Sequence, residues 1–245
     1  MEVLKFTLSG KTAFFKKPEV NTYLYFTYGH IHKIALLGIL GAILGYGGYN
    51  QQKRSEEEVY PEFYEKLKDI KIGIVPKNDK GYIPKKVQSF NNSVGYASKE
   101  KGGNLIVNEQ WLENPVWEIY VLIDGEREQE LANRVIQRRF HYIPYLGKND
   151  HIANLTGMKI ISDIKGIQTP GQVDSLIIKD FFEFEIEEDD LEAEPVYKYQ
   201  EMLPVRLEEK TNKYDLETFI YTNAFLRPKE QSLLYQCDEE KVFFF

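Results

Sequence analysis

Apolar and polar positions alternate along the first residues of the chain, and a nearly all-apolar segment follows. Residues 3–15 alternate as a strand does, with a break at Gly10. Residues 31–45 predict a buried helix, which Thr27 would cap; at about a dozen apolar residues it is shorter than the roughly twenty that cross a bilayer. Its glycines share one face, which predicts close approach of another backbone: Gly38, Gly41 and Gly45.

Downstream of this helix the pattern predicts two more helices and four strands around an unusual segment. The helices are predicted at residues 56–69 and 126–140, and the strands at residues 71–75, 105–111, 116–123 and 157–164. Residues 76–104 are rich in lysine and poor in aliphatic side chains, and a loop of that length is uncommon unless it is functional. We interpret this segment as a protruding hairpin arm. The last third predicts strands joined by acidic turns, at residues 175–186, 196–207, 216–223 and 233–245.

The order of these elements is strand, helix, strand, arm, strand, helix, strand. This is the split βαββαβ order of ferredoxin-like folds, which include RNA-recognition domains. We therefore predict an α+β chain with two parts. Residues 1–170 are expected to form a ferredoxin-like (RNA-recognition-like) domain that carries the arm at about 76–104, and residues 171–245 a C-terminal antiparallel β region.

Composition is that of an ordinary globular protein. Of the 245 residues, 42% are apolar and 28% charged, which excludes wholesale disorder. The single cysteine, Cys237, excludes an intrachain disulfide and a zinc site made of cysteines, and it fits a reducing cytoplasm. The first residues lack the basic and then apolar order of a signal peptide, so we expect a cytoplasmic location and no membrane partner.

Charge is distributed unevenly along the chain, although the total of 31 basic and 38 acidic residues is only moderately acidic. Residues 1–54 hold seven basic groups and two acidic ones, and residues 66–101 hold nine lysines and three acids. Residues 180–209 hold twelve acids and two bases. This asymmetry suggests one side that faces a polyanion and another that is solvated or meets a basic partner. Solvated charged faces alone would explain the runs equally well.

The sequence lacks several common enzymatic signatures. His30 and His32 have His-x-His spacing, but no third ligand of suitable type is near them in the sequence. No Gly-x-Ser-x-Gly, Cys–His arrangement, Walker loop or Rossmann fingerprint occurs, and the acidic run 183–194 lacks EF-hand spacing. We therefore expect no metal and no cofactor.

Lysines interleaved with aromatic residues favour a nucleic-acid partner. Rings suit a flexible single strand because bases stack on them while ammonium groups meet phosphates, and the start of the first helix would add amide donors. At least one of Phe14 and Phe15 is expected in the core, since adjacent strand residues face opposite sides. The arm lysines are binding candidates or merely solubilising. The candidates near the N-terminus are Lys11, Lys16, Lys17, Tyr25, His30, His32 and Lys33.

Four blocks of sequence, in order, are similar to a known family. They are residues 6–18, residues 25–27 with 33–45, residues 108–115 (Asn-Glu-Gln-Trp-Leu-Glu-Asn-Pro) and residues 142–149 (Tyr-Ile-Pro-Tyr-Leu-Gly-Lys-Asn). Together they resemble the fifth family of CRISPR-associated proteins, of the RAMP superfamily, and their details look most like subtype I-B. The resemblance is strong over residues 1–165 and weak in the last third.

The resemblance implies a subunit of a type I Cascade complex in antiviral defence. Such a subunit has a ferredoxin-like domain with a thumb-like arm. It grips the 5′ handle of the crRNA and contacts the first backbone subunit, the large subunit and target DNA near the PAM. The residues beside the handle would be Lys16, Lys17, Tyr25, Thr27, His30, His32, Lys33 and Lys148. The arm residues that reach toward the guide or the neighbouring subunit would be Lys77, Lys85, Lys86, Lys99 and Lys101.

Two alternatives remain open at this stage. One branch of the family, that of subtype I-C, cleaves the crRNA precursor with a tyrosine, a lysine and a histidine, and a metal-independent ribonuclease here would use His30 or His32 as general base. Subtype I-B systems delegate processing to a separate endonuclease, so we expect no catalysis. The other alternative is an acidic adaptor whose run 183–194 docks a basic protein while the lysines face water.

Overall fold

The described part of the chain contains three α-helices, three short 3-10 helices and fifteen strands, and the strands are arranged in several sheets. The computed structural model describes residues 1–19, 23–52, 59–185, 195–230 and 232–245. The helices are α1 (Lys33–Leu44), α2 (Glu62–Leu67) and α3 (Glu126–Ile136). The strands are β1 (Glu2–Ser9), β2 (Thr12–Ala13), β3 (Ile72–Pro76), β4 (Lys85–Asn91), β5 (Ile106–Glu113), β6 (Val116–Ile123), β7 (Asn154–Ser162), β8 (Lys165–Gly166), β9 (Ile177–Ile178), β10 (Phe182–Phe184), β11 (Lys198–Leu207), β12 (Tyr214–Thr222), β13 (Leu226–Pro228), β14 (Leu233–Cys237) and β15 (Glu240–Phe244).

A four-stranded antiparallel sheet in the order β3-β6-β1-β7 has both faces covered. Alternation along β1 sends Leu4, Phe6 and Leu8 into the larger hydrophobic core, which also contains the apolar side chains of α1 and α3. Val3 points the other way, into a smaller core with Val242 of β15. The helices therefore cover one face, and the C-terminal hairpin β14–β15 covers the other. The combination of few helices with many strands in several sheets agrees with the α+β class expected from the sequence.

Helix α1 begins later than the sequence pattern predicted, and its cap is different. The N-cap is His32, whose Nδ1 accepts a hydrogen bond from the Ala35 amide at 3.3 Å. The prediction that Thr27 caps this helix is wrong, because the Thr27 hydroxyl accepts from the Phe15 amide and donates to the Tyr28 carbonyl instead.

The glycine face of α1 serves three different purposes. At Gly41 a Cβ would lie only 2.6 Å from Cβ of Phe63, so α2 packs closely there, as the glycines predicted. Gly45 ends the helix in the left-handed conformation, with φ of 87°. Gly38 has no atom within 4 Å of a Cβ position, so close packing was the wrong prediction for this residue. The middle of this helix face is open.

The lysine-rich segment forms the first half of a long antiparallel hairpin. Strands β4 and β5 pair from Lys85 opposite Leu112 to Asn91 opposite Ile106, and β2 extends the same sheet. Along β4 exposed and half-buried side chains alternate, and none is fully buried. This hairpin is called the arm below.

The C-terminal third contributes short sheets that pack on the rest of the chain. The backbones of Ile72 and Phe245 exchange two hydrogen bonds, at 3.0 and 3.2 Å, so the chain end pairs with β3. Leu176, Phe219 and Leu226 belong to the same large core as Leu8. The division of the chain near residue 170 stays a prediction. The acidic run falls largely on residues 186–194, and part of the polar helix predicted at 56–69 falls on residues 53–58; both lie outside the described residues.

No helix among the described residues is long and apolar enough to cross a membrane.

Candidate nucleic-acid groove

A groove of about 1580 Å³ lies between the open face of α1 and the arm. Its floor is the small-residue stripe of α1, formed by Ala35, Gly38 and Ala42, and Phe90 and Trp111 line it from the arm. A single drug-sized ligand needs roughly 300–1,000 Å³, so this groove has room for a larger occupant such as a stretch of polymer.

Lys16 and Lys17 are adjacent in the sequence, but they face opposite sides of one extended segment. Residues 15–17 pair with residues 26–28 through the Lys17 amide and the Phe15 carbonyl, and alternation then separates the two side chains. Lys16 lines the groove with its Nζ 3.9 Å from the centre of the Tyr25 ring. The Lys17 ammonium lines a second pocket, of about 450 Å³, and makes an ion pair with Glu201 at 2.8 Å.

Lys148 enters the groove from a turn whose shape depends on Gly147. This glycine has φ of 90°, and a Cβ on it would overlap the carbonyl oxygen of Phe14. The Lys148 Nζ lies 2.9 Å from a carboxylate oxygen of Glu109, which is buried and also accepts a hydrogen bond from the Trp111 indole at 2.8 Å. The ammonium is also close to the Phe14 and Phe90 rings. Lys148 therefore enters the groove with one buried counter-charge.

The two histidines predicted to lie beside an RNA are buried. His30 is fully inaccessible, and its Nδ1 accepts a hydrogen bond from the Trp117 indole at 3.1 Å. Burial lowers the pKa of His30 to about 4 and that of His32 to about 3, so both rings are neutral near pH 7. His32 caps α1 and borders the groove with its ring, so the amide donors expected at the start of this helix are partly taken by its own side chain.

Lys33 and Thr27 are buried as well. The Lys33 Nζ donates to the backbone oxygen of Phe245 at 3.0 Å, and burial lowers the pKa of this lysine to about 8. Both residues hold elements of the fold together in this structure. Their proposed RNA contacts stay predictions.

The remaining candidate lysines fall into separate environments. Lys77 pairs with Glu240 at 3.0 Å, on the sheet face covered by β15, and Lys86 pairs with Glu113 at 3.3 Å across the arm. Lys85 borders the second pocket beside Lys17, and burial lowers its pKa. Lys11, Lys99 and Lys101 are exposed, and like Lys85 they have no ion pair among the described residues.

The groove contains residues that the sequence analysis did not single out. The loop after α1, Tyr46-Gly47-Gly48-Tyr49-Asn50-Gln51, lines one end of it, and Tyr142 and Tyr145 line its side. The available signal was the pair of aromatic residues on either side of two glycines, followed by two amides. Taken alone, the glycines predicted only the end of the helix.

No protein-family model matches this chain, and no curated protein matches it. Solved structures share its fold. One is a CRISPR protein from Archaeoglobus fulgidus, with a TM-score of 0.55 and 10% sequence identity over 99% of this chain and 98% of that one. Another belongs to a CRISPR RNA-guided surveillance complex, with a TM-score of 0.55 and 12% identity over 92% of this chain and 91% of that one. At such low identity the likeness concerns the fold, and this chain therefore shares the fold of CRISPR proteins.

Proposed function

We propose that this chain is a non-catalytic RNA-binding subunit of a type I CRISPR Cascade complex of subtype I-B, in the fifth family of CRISPR-associated proteins. It grips the 5′ handle of the crRNA in the groove between α1 and the arm. It contacts the backbone and large subunits of the complex, and target DNA near the PAM. The fold that this chain shares with a protein of a CRISPR RNA-guided surveillance complex supports this proposal.

The central sheet supports a ferredoxin-like assignment for the N-terminal part. Its strands lie in the antiparallel order β3-β6-β1-β7, with α1 between β1 and β3 in the chain and α3 between β6 and β7. A βαββαβ order of elements has this connectivity. The arm is inserted between the second and third strands of that sheet, where a thumb would leave the domain.

The observation that carries the proposal is the combination of rings and ammonium groups in the groove. Lys16 lies over Tyr25, and Lys148 lies beside Phe14 and Phe90. Nucleic-acid bases stack on aromatic rings, and the phosphates of the same strand pair with lysines. A groove of this size, open to solvent and lined by both groups, suits a single strand better than a compact metabolite.

Burial of the histidines favours binding without cleavage. A general base must come within hydrogen-bond distance of the 2′-hydroxyl it deprotonates. His30 is fully inaccessible, and the Nδ1 of His32 is engaged at the start of α1. Neither ring is free to act on an RNA in this conformation.

A single gel tests both parts of the proposal. The purified chain is incubated in EDTA with a labelled repeat RNA and, separately, with its 5′-handle fragment. We expect a mobility shift without cleavage. Site-specific cleavage would contradict the non-catalytic assignment, and His30→Ala and His32→Ala would then be tested for loss of the product. Absence of any shift at low salt would contradict RNA binding by this chain.

Lys16 and Lys17 supply a matched pair of variants. Lys16→Ala removes a groove cation and is expected to weaken handle binding about tenfold and to reduce the slope of log K against log salt by about 0.7, the effect of one phosphate contact on a single strand. Lys17→Ala removes a cation that is neutralised by Glu201 and should change the affinity less than twofold. Equal effects of the two substitutions would contradict the groove as the binding site.

A further inference from the structure

The two ends of the groove differ in chemistry. The ring of Phe15 lies 6.0 Å from that of His32, so the segment that carries Lys16 is at the start of α1. The loop Tyr46–Gln51 begins directly beyond Gly45, where α1 ends. A helix of 12 residues is about 18 Å long, which separates the Lys16 ammonium at the start from the loop at the end. The loop contains no charged residue.

Polar backbone groups of this loop are already used within the protein. The Gly47 amide donates to a carboxylate oxygen of Glu62 at 2.7 Å, and the Gly48 amide donates to the side chain of Gln51 at 3.0 Å. These bonds fix the loop, and they remove the amides that would otherwise bind a phosphate. The Glu62 carboxylate beside the loop pairs with Lys66 at 2.6 Å, and the Lys66 ammonium lies 4.3 Å from the centre of the Tyr46 ring, so this cation beside the loop is already neutralised.

Two side chains of the loop remain available to a ligand. Tyr49 is 47% exposed, and the edge-on contact with Phe63, at 5.6 Å between ring centres, holds its ring in place. Asn50 is exposed and borders the groove, and within the described residues its side chain has no hydrogen bond. A ring face stacks on a base, and a carboxamide offers one acceptor and two donors, which match a base edge rather than a phosphate.

We propose that the Tyr46–Gln51 loop recognises base identity in the single strand that occupies the groove, with Asn50 as the specificity-determining residue and Tyr49 as the stacking surface. This inference rests on the proposed function. The preferred base is adenine, because a carboxamide can pair with both a donor and an acceptor on the adenine edge. Lys16, at the other end, supplies affinity that does not depend on sequence.

The test compares binding of short oligo(A) and oligo(C) RNA by fluorescence anisotropy. We expect the wild-type protein to bind oligo(A) more tightly and Asn50→Ala to reduce the ratio of the two dissociation constants about tenfold. Asn50→Asp should shift the preference toward oligo(C), because a carboxylate accepts from the cytosine amino group but cannot donate to adenine. Since Asn50 is exposed, both variants should fold.

Two control variants separate this inference from the proposed function. Asn133 is an exposed amide on α3 that does not line the groove, and Asn133→Ala should leave the ratio unchanged. Lys16→Ala should weaken both RNAs equally. Binding of both RNAs with the same ratio in wild type and Asn50→Ala would overturn base recognition by the loop while leaving the groove intact. Failure to bind either RNA would instead contradict the proposed function.

Discussion

Lysines serve opposite purposes in the groove and in the contact between β15 and the central sheet. Under β15, Lys5 lies within 3.1 Å of both Glu118 and Glu240, and Lys77 pairs with the same two carboxylates. In the groove Lys16 lies over an aromatic ring, with no ion pair among the described residues. The charge of a lysine held by two carboxylates is neutralised within the fold, whereas a lysine with no ion pair keeps its charge available to a ligand.

The two regions also differ in exposure. Lys5, Glu118 and Glu240 have side chains that are less than one-fifth exposed, and the Tyr120 hydroxyl donates to Glu240. The groove, in contrast, is open along the Gly38 side of α1. The paired region is therefore expected to govern stability and the groove to govern binding.

The largest expected effect is on stability, from Glu240→Ala. This change leaves the mostly buried Lys5 and the more exposed Lys77 with Glu118 as their remaining counter-charge, and removing one partner of a buried pair lowers the free energy of unfolding by about 3 kcal/mol. Urea denaturation measures it, and RNA affinity of the folded protein should be unchanged. Glu239→Ala, at an exposed neighbouring position, is the control. Equal stability of the two variants would contradict the role of the pairs.

The pKa of the Glu240 carboxyl group predicts that the stability of the protein depends on pH. Burial alone would raise the pKa of Glu240, but hydrogen bonds with Glu118, Tyr120 and the two lysines lower it to about 2. A carboxyl group with a depressed folded-state pKa stabilises the protein fully above its unfolded pKa of about 4.3, and this contribution is lost as the pH falls toward 2. Glu240→Gln should remove that part of the pH dependence in urea melts at pH 2.5 to 6.

The next effect distinguishes two glycines of α1. Gly41→Ala is expected to destabilise the protein by about 1–2 kcal/mol, because its Cβ would lie 2.6 Å from Cβ of Phe63 and the gain in helix propensity offsets only part of the clash.

Gly38→Leu extends into open space, so it should leave stability intact and weaken RNA binding about tenfold by filling the groove. Thermal melts and anisotropy measure the two effects. Unchanged affinity of Gly38→Leu would mean that the ligand does not use the groove.

The smallest effect concerns pH and binding. Because burial lowers the pKa of His30 and His32 to about 4 and 3, neither ring gains a proton between pH 5 and 8 in the folded protein. Stability from these neutral rings is complete above the unfolded pKa of about 6.5 and declines as the pH falls below it. RNA affinity should therefore vary less than twofold between pH 6 and 8. An inflection near pH 6.5 would show that a histidine faces the RNA.

Local patterns in the sequence predicted most of the helices and strands, because each pattern reports on its own segment. Helix α1, the strand pair at 105–111 and 116–123 and the lysine-rich hairpin are all present, with ends displaced by a few residues. The cap of α1 was mispredicted because Thr27 hydrogen-bonds to the backbone of its own loop.

The site was harder to predict because its residues meet only after folding. Lys77 pairs with Glu118 and Glu240, which lie far from it in the chain, and no local sequence pattern predicts these pairs. The sequence did allow the prediction that the side chains of Lys16 and Lys17 face opposite sides. The alternation rule applied to Phe14 and Phe15 applies equally to the next two residues. Burial of His30 follows from packing against Trp117 and Tyr199, which the sequence does not specify.

The positions at which a bound RNA contacts the protein test the proposed binding groove most directly. A single-stranded handle RNA that carries 4-thiouridine is crosslinked to the purified chain by ultraviolet light, and the modified peptides are identified by mass spectrometry. We expect crosslinks to the groove residues Tyr25, Tyr49 and Tyr142. Crosslinks confined to β14–β15 or to the pocket of Lys17 would contradict this expectation.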